Sequence, residues 1–293
     1  MKLHYFTDAP NFGDALNPWL WPQLLGDALD DDPSTILLGI GTILTDRVPP
    51  AAAYHVLGSG AGYHRTPFLD ARWHIHAVRG PLTATALGLP AETAATDAAY
   101  LLRTVPLPDP RPGPAIGFMP HFRAMPHTPW PRLCERAGLR YIDPLGPVQD
   151  CIAAIRGCTC LIAEAMHGAI VADACRVPWL PVVTGGHILD FKWRDWLLSV
   201  ELEYRPLRIA SLRRLTRHRP GDVAPLALAR RMANAAALGL QLVPLQRNLT
   251  NLRRRLASRT LSPFLSADTV ACERTARLVR GLEALRAAVP TPP

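Results

Sequence analysis

The run Cys160-Leu161-Ile162-Ala163-Glu164-Ala165-Met166-His167-Gly168 sets an imidazole where a buried-strand pattern gives way to a helical one. Imidazole titrates near neutrality and can give or take a proton at working pH, so His167 is the candidate catalytic residue. A helix beginning there exposes unpaired N–H groups and the positive end of its dipole, which favour an anion. Gly168 lets a ligand approach the backbone, and Glu164 stands one turn before the histidine. A lone histidine in an apolar helix is more often a buried structural residue. Its position at a strand end favours chemistry instead.

Other loops fall at the ends of apolar runs, where open α/β sheets bind ligands. In Asn11-Phe12-Gly13-Asp14, Asp14 suits a helix N-cap, and Asn11 and Asp14 suit contacts to an acceptor or structural support. Gly58-Ser59-Gly60-Ala61-Gly62 suits either an anion cradle on backbone N–H groups, with Ser59 and Gly60 at its centre, or a plain glycine turn. Position 63 is Tyr, so the Gly-x-Gly-x-x-Gly spacing of a dinucleotide site is absent. Arg79, before Gly80-Pro81, suits a carboxylate, a phosphate or a salt bridge. Asp97 suits a sugar hydroxyl or an arginine partner. His121 and Glu164 complete the polar side chains assigned to the acceptor or to structural support.

The elements that must hold these residues follow from periodicity. Strands are expected at Leu3–Phe6, Thr35–Ile40, Tyr54–Leu57, His74–Val78, Ala115–Met119, Leu139–Ile142, Cys160–Ala163 and Trp179–Val183. Helices are expected from about Asp14, with Leu16, Leu20 and Leu24 on one face, and at Pro81–Leu87, Trp130–Ala137, Val148–Ile155 and Met166–Cys175. Thr96–Leu102 closes the first half, and the four prolines of 103–113 make a linker. Alternating strands and helices predict an α/β fold with parallel sheets. The divisions are a Rossmann-like domain over 1–108, a second over 109–204, and an Arg-rich, mostly helical extension over 205–293.

The chain has 293 residues and a mean hydropathy of +0.06, values of a soluble globular protein. Its start, MKLHYFTDAPNFGD, lacks the apolar core of a secretory signal, and no apolar run approaches the ~18 residues of a spanning helix. A cytoplasmic location is expected. The six cysteines lie in apolar segments without paired CxxC spacing, so they read as structural thiols, not metal ligands. Residues 1–204 hold 15 basic and 20 acidic side chains, whereas 205–293 hold 17 arginines and 4 acids. In that basic segment Leu249, Leu252 and Leu256 share a helical face beside Arg253-Arg254-Arg255. Two readings stay open: a helix on an anionic membrane surface, or one packed back on the core with a solvated arginine face. With Phe264 its only aromatic after Tyr204, the segment offers no stacking platform for nucleic acid.

Taken together, the motifs resemble the polysaccharide pyruvyl transferases, most closely the succinoglycan-biosynthesis type. The resemblance covers roughly residues 1–200. It rests on NFGDALNPWLW at 11–21, GSGAG at 58–62, RGPLT at 79–83, TDAAYLL at 96–102, EAMHGAIVADACRVPW at 164–179 and FKWRDW at 191–196. The resemblance implies a glycosyltransferase-B-like fold, two Rossmann-like domains facing a cleft. It implies transfer of pyruvate from phosphoenolpyruvate to a sugar of an exopolysaccharide or its lipid-linked precursor, as a ketal, with no metal or cofactor. His167 matches the family's general acid, while Arg79 and Lys192 match positions suited to the anionic donor. Many members carry Arg before the Met-His pair; here the residue is Ala165, which leaves Arg123, Arg176 or Arg194 to supply that cation. A lipid-linked acceptor would bring the protein to the inner face of the membrane through 205–293. The alternatives are a nucleotide-sugar glycosyltransferase of the same architecture and a non-catalytic saccharide-binding protein.

Overall fold

A computed structural model describes residues 1–125, 128–209 and 242–289. The first half forms a four-stranded parallel sheet in the order β1 (Lys2–His4), β2 (Thr35–Leu38), β3 (Ala53–Leu57), β4 (Trp73–Ala77). The second forms a five-stranded parallel sheet in the order β6 (Arg140–Tyr141), β5 (Ile116–Met119), β7 (Cys160–Ala163), β8 (Trp179–Val183), β9 (Leu207–Arg208). The expected α/β class with parallel sheets is what the chain adopts.

The helices are α1 (Phe12–Leu25), α2 (Pro81–Ala86), α3 (Trp130–Ala137), α4 (Val148–Arg156), α5 (Met166–Ala174), α6 (Asp190–Ser199), α7 over 242–257 and α8 (Asp268–Ala288). Leu16, Leu20 and Leu24 of α1 are buried on one face, as their spacing requires. The central apolar cluster takes residues from α1, α4, α5 and α8 together with Leu37 and Leu57 of one sheet and Leu161 and Ala163 of the other. Those helices therefore lie between the sheets. A second cluster covers the outer face of the second sheet with α3 and α7, and a third covers the outer face of the first.

Several segments depart from expectation for identifiable reasons. β1 stops at His4, opposite Leu38, because its only neighbour β2 ends there. Tyr5 and Phe6 are thereby released into a loop. Residues 39 and 40 leave β2 because Asn17 captures Ile40, accepting its N–H at 3.0 Å and donating to its carbonyl at 3.0 Å. Ala98–Thr104 is a 3-10 helix capped by Asp97. The proline-rich linker is strapped to α4: Arg111 N–H donates to Ala153 O at 2.9 Å, and Arg156 donates to the carbonyls of Leu107 and Pro108.

Residues 210–241 of the basic segment lie outside the described residues, and residues 242–289 are built into both cores. Leu245, Leu249 and Leu252 of α7 are buried in the second cluster and Leu256 packs against it, so the apolar stripe that a membrane helix would need is covered by protein. Phe264 exchanges two backbone hydrogen bonds with Trp179 of β8, at 2.9 and 2.7 Å. Ser266 N–H donates to the buried Asp173 carboxylate of α5 at 3.0 Å, and its hydroxyl donates to the same group. Arg176 donates to Ser266 as well. Helix α8 then returns to the first sheet, with Arg286 donating to Leu24 O. Among the described residues no helix is long and apolar enough to cross a membrane. Burial pushes the thiols of Cys134, Cys151 and Cys160 up to about 12, so they stay protonated in the core; Cys272, by contrast, is exposed.

Candidate active site

The C-terminal ends of the two sheets converge on one cleft of about 510 Å³. Loops after β1, β2 and β3 line it with Tyr5 to Asp8, Thr42, Thr45, Arg47, Tyr63 and His64. The second sheet supplies His121, Phe122 and Arg123 after β5, Pro144 after β6 and Ala165 to His167 after β7. The first turn of α1 adds Asn11 to Asp14, and α6 adds Lys192. Parallel strands all deliver their following loops to the same edge, which is why residues so distant in sequence meet here.

His167 stands in the first turn of α5 with its side chain 15% exposed. Its ring lies against Gly13: a Cβ at that position would sit 2.0 Å from His167 Nδ1, so only glycine admits the imidazole. On the other side His167 Nε2 lies 3.5 Å from Asp97 Oδ2. Asp97 Oδ1 accepts the Ala99 N–H at 3.0 Å. Among the described residues, neither His167 Nε2 nor Asp97 Oδ2 has a hydrogen-bond partner although both are buried. The separation is long for a hydrogen bond. Asp97 thus stands as a buried carboxyl group behind the ring.

Beside Gly13, Asn11 and not the expected Asp14 is the N-cap of α1, and Asp14 lies in the first turn. Asn11 Oδ1 accepts the Asp14 N–H at 3.1 Å, and Asn11 Nδ2 donates to Asp14 Oδ2 at 2.6 Å. Burial raises the Asp14 carboxyl above the usual aspartate range, against the lowering effects of Asn11, His167 and Lys192. Lys192 is 8% exposed, donates to the Tyr63 hydroxyl at 3.1 Å and lies 5.6 Å from that ring's centroid. Among the described residues Lys192, Arg47 and Arg123 form no salt bridge, so three cations reach the cleft without an acidic partner.

Four of the expected donor-binding residues lie elsewhere. Arg79 is fully buried, with Nε donating to Asp195 Oδ2 at 2.9 Å, Nη1 to Thr42 Oγ1 at 2.7 Å and Nη2 to Ala61 O at 3.1 Å. Asp195 also accepts the N–H and hydroxyl of Thr83. Arg79 is therefore a structural link between the first half and α6. The glycine loop is closed in the same way. Gly58 has φ +82° and abuts the Ala98 backbone, the Ser59 hydroxyl donates to Leu38 O at 3.1 Å, and a Cβ on Gly60 would lie 2.2 Å from the Arg79 guanidinium carbon. Ser59 and Gly60 thus pack the core, and an anion has no access to them. Gly168 faces inward as well, where a Cβ would come within 2.7 Å of Met119 Sδ, so it permits helix–strand packing.

The support residues divide likewise. Glu164 is buried and accepts His121 N–H at 3.1 Å, Thr184 N–H at 2.7 Å and the Thr184 hydroxyl at 2.6 Å, with His187 Nε2 at 3.3 Å. It ties the ends of β5, β7 and β8 together. His121 lines the cleft and its Nδ1 accepts the Arg123 N–H at 3.2 Å, which places its proton on Nε2. Burial, then Lys192, His187 and Arg123, push it down to about 2, so this ring stays neutral. Of the cations proposed to compensate for Ala165, Arg123 lines the cleft. Arg176 is engaged with Asp268 and Ser266, and Arg194 is exposed beside Tyr204.

No protein-family model matches the chain. It is 41% identical over 214 residues to the succinoglycan biosynthesis protein ExoV of Rhizobium meliloti strain 1021, a match that takes in 71% of this chain and 68% of that protein. The chain belongs to the polysaccharide pyruvyl transferase family. For a member of that family, Ala165 is a departure inside the cleft itself, where it lies among cations brought by other loops. Arg47 and Tyr63 are not singled out by sequence; Tyr63 carried a signal only as the residue that breaks the glycine spacing. Asp195 sits in the FKWRDW motif, yet nothing local marks it as the partner of an arginine 116 residues away.

Proposed function

We propose that the chain acts in exopolysaccharide biosynthesis, moving pyruvate from phosphoenolpyruvate to a sugar diol as a cyclic ketal. The observation that carries this reading is an imidazole backed by a buried carboxylate, at the edge of a cleft that three unpaired cations enter. Phosphoenolpyruvate carries a phosphate and a carboxylate on a small carbon frame. Lys192, Arg47 and Arg123, with the N-terminus of α5, suit those anions. In this reading His167 is the general acid. It protonates the methylene carbon of the donor, which makes the adjacent carbon electrophilic toward a sugar hydroxyl. Phosphoenolpyruvate is the sole co-substrate, and neither metal nor nucleotide takes part.

The two sheets with their facing loops are read as a glycosyltransferase-B-like pair, with divisions near 108 and 204. The enzyme would work in the cytoplasm, and at the inner face of the membrane where its acceptor is lipid-linked. The nucleotide-sugar alternative needs a diphosphate cradle, and the closed packing of Gly58 and Gly60 argues against one.

The test is direct. The full chain is incubated with phosphoenolpyruvate and exopolysaccharide oligosaccharides stripped of pyruvate by mild acid. Phosphate release and a ketal mass on the sugar are expected. Absence of both with the natural oligosaccharide refutes the reading, and full activity in His167→Ala removes His167 from the mechanism.

A further inference from the structure

Ketal formation detaches two hydroxyl protons, and one imidazole takes back only one of them. The leaving phosphate takes the other only once its bond to C2 breaks, so a side chain that holds that proton in between would aid the attack, and most titratable groups around the cleft are already committed. Glu164 is buried under the donors of His121 and Thr184. His121 Nδ1 accepts a backbone N–H, so the ring presents only a donor. Asp97 faces His167 from behind and does not line the cleft. Asp8 lies on an exposed rim, and His4 and His64 belong to the wall formed by the first sheet.

Asp14 differs from all of these. It lines the cleft directly after Gly13, the residue against which the His167 ring rests. Asn11 holds Asp14 Oδ2, while among the described residues Oδ1 has no hydrogen-bond partner. Oδ1 faces Gly41, whose φ of +125° and missing side chain leave room beside the oxygen. Resting on the pyruvyl-transfer reading, we infer that Asp14 is a second catalytic residue, the base for one of the two sugar hydroxyls. The raised position of its carboxyl strengthens its basicity.

The steps close. His167 protonates the methylene carbon; the C=C pair forms the new C–H bond, and C2 becomes electron-poor. One sugar oxygen bonds to C2 as its proton passes to Asp14 Oδ1. The bond from C2 to the phosphate oxygen then breaks, with its electron pair on oxygen. Phosphate takes the proton from Asp14 and leaves as hydrogenphosphate. The second hydroxyl bonds to C2 and returns a proton to His167. Both side chains end as they began.

Asp14→Asn keeps the size and the hydrogen bond with Asn11, so its melting temperature should match the parent. With phosphoenolpyruvate and the depyruvylated oligosaccharide, its kcat should fall about 10²- to 10³-fold. KM for phosphoenolpyruvate should stay within about threefold. The decline of kcat toward acid pH, caused by protonating the base, should disappear, and Asp14→Glu should regain part of the rate. Parental kcat and pH profile in Asp14→Asn overturn the inference and leave pyruvyl transfer standing. So does a loss confined to KM, which would mark a binding role. A parent protein that binds and turns over no phosphoenolpyruvate fells the underlying reading, and this inference with it.

Discussion

At the ends of β3 and β4, Arg79, the glycine loop, Thr83 and Asp195 form a polar cluster in which every strong donor has found an internal acceptor. At the ends of β1 and β7, His167, Asp14 and Lys192 form a second cluster, joined by Arg47 and Arg123, that lines a cavity with cations forming no salt bridge among the described residues. The two are built from similar residue types on the same kind of strand–loop–helix unit. What separates them is satisfaction. A buried ion pair completed by hydrogen bonds has nothing left for a ligand, whereas cations without counter-charges attract one. Burial of a charged residue near a strand end is therefore no sign of function until its bonds are traced.

The contrast can be broken by substitution. The largest effect is expected at the open cluster: His167→Asn should lower kcat about 10³-fold while leaving the urea midpoint unchanged. At the closed cluster, Arg79→Met strands the Asp195 carboxylate and should cost about 3–5 kcal/mol in urea unfolding. A stable Arg79→Met protein that has lost donor binding would reverse the assignment of the two clusters. Lys192→Gln should weaken phosphoenolpyruvate binding by roughly 10- to 100-fold, the scale of one charged hydrogen bond, at unaltered stability. Calorimetry on the two proteins measures it directly. The smallest effect should come from Gly60→Ala, whose new methyl group meets the Arg79 guanidinium and costs about 1–3 kcal/mol of stability. A change in KM for phosphoenolpyruvate with unchanged stability in that variant would restore the anion-cradle reading of the loop.

Much of the architecture is legible because strand and helix periodicities are local. Trp130–Ala137, Cys160–Ala163 and Trp179–Val183 coincide with α3, β7 and β8, since each combines a clear pattern with glycine, proline or polar boundaries. The arrival of His167 at a ligand-accessible edge follows from the same logic, because a parallel strand fixes where its loop emerges. The fates of Ser59, Gly60, Arg79 and Gly168 were not legible. An arginine at a strand end reads the same whether it awaits a phosphate or an aspartate from a helix that arrives late in the chain. Glycines required for close packing look like glycines required for ligand approach. Arg47 was invisible for the opposite reason: it sits in a loop without motif, and only the fold brings it to the cleft. The leucines of α7 show amphipathicity without saying which surface, protein or lipid, covers them.

The Asp173 junction bears on how this protein can be dissected. The helix that begins with Met166 and His167 is braced at its far end by Ser266, and the neighbouring strand is extended by Phe264. Trimming the polypeptide to its motif-bearing part would withdraw donors from a carboxylate sealed off from water and uncover the edge of Trp179. Inactivity of such a shortened protein would then report a slackened catalytic helix and would say nothing about whether the removed arginines ever touch acceptor or bilayer. Point replacement of individual arginines, with the junction intact, is the cleaner route to that question.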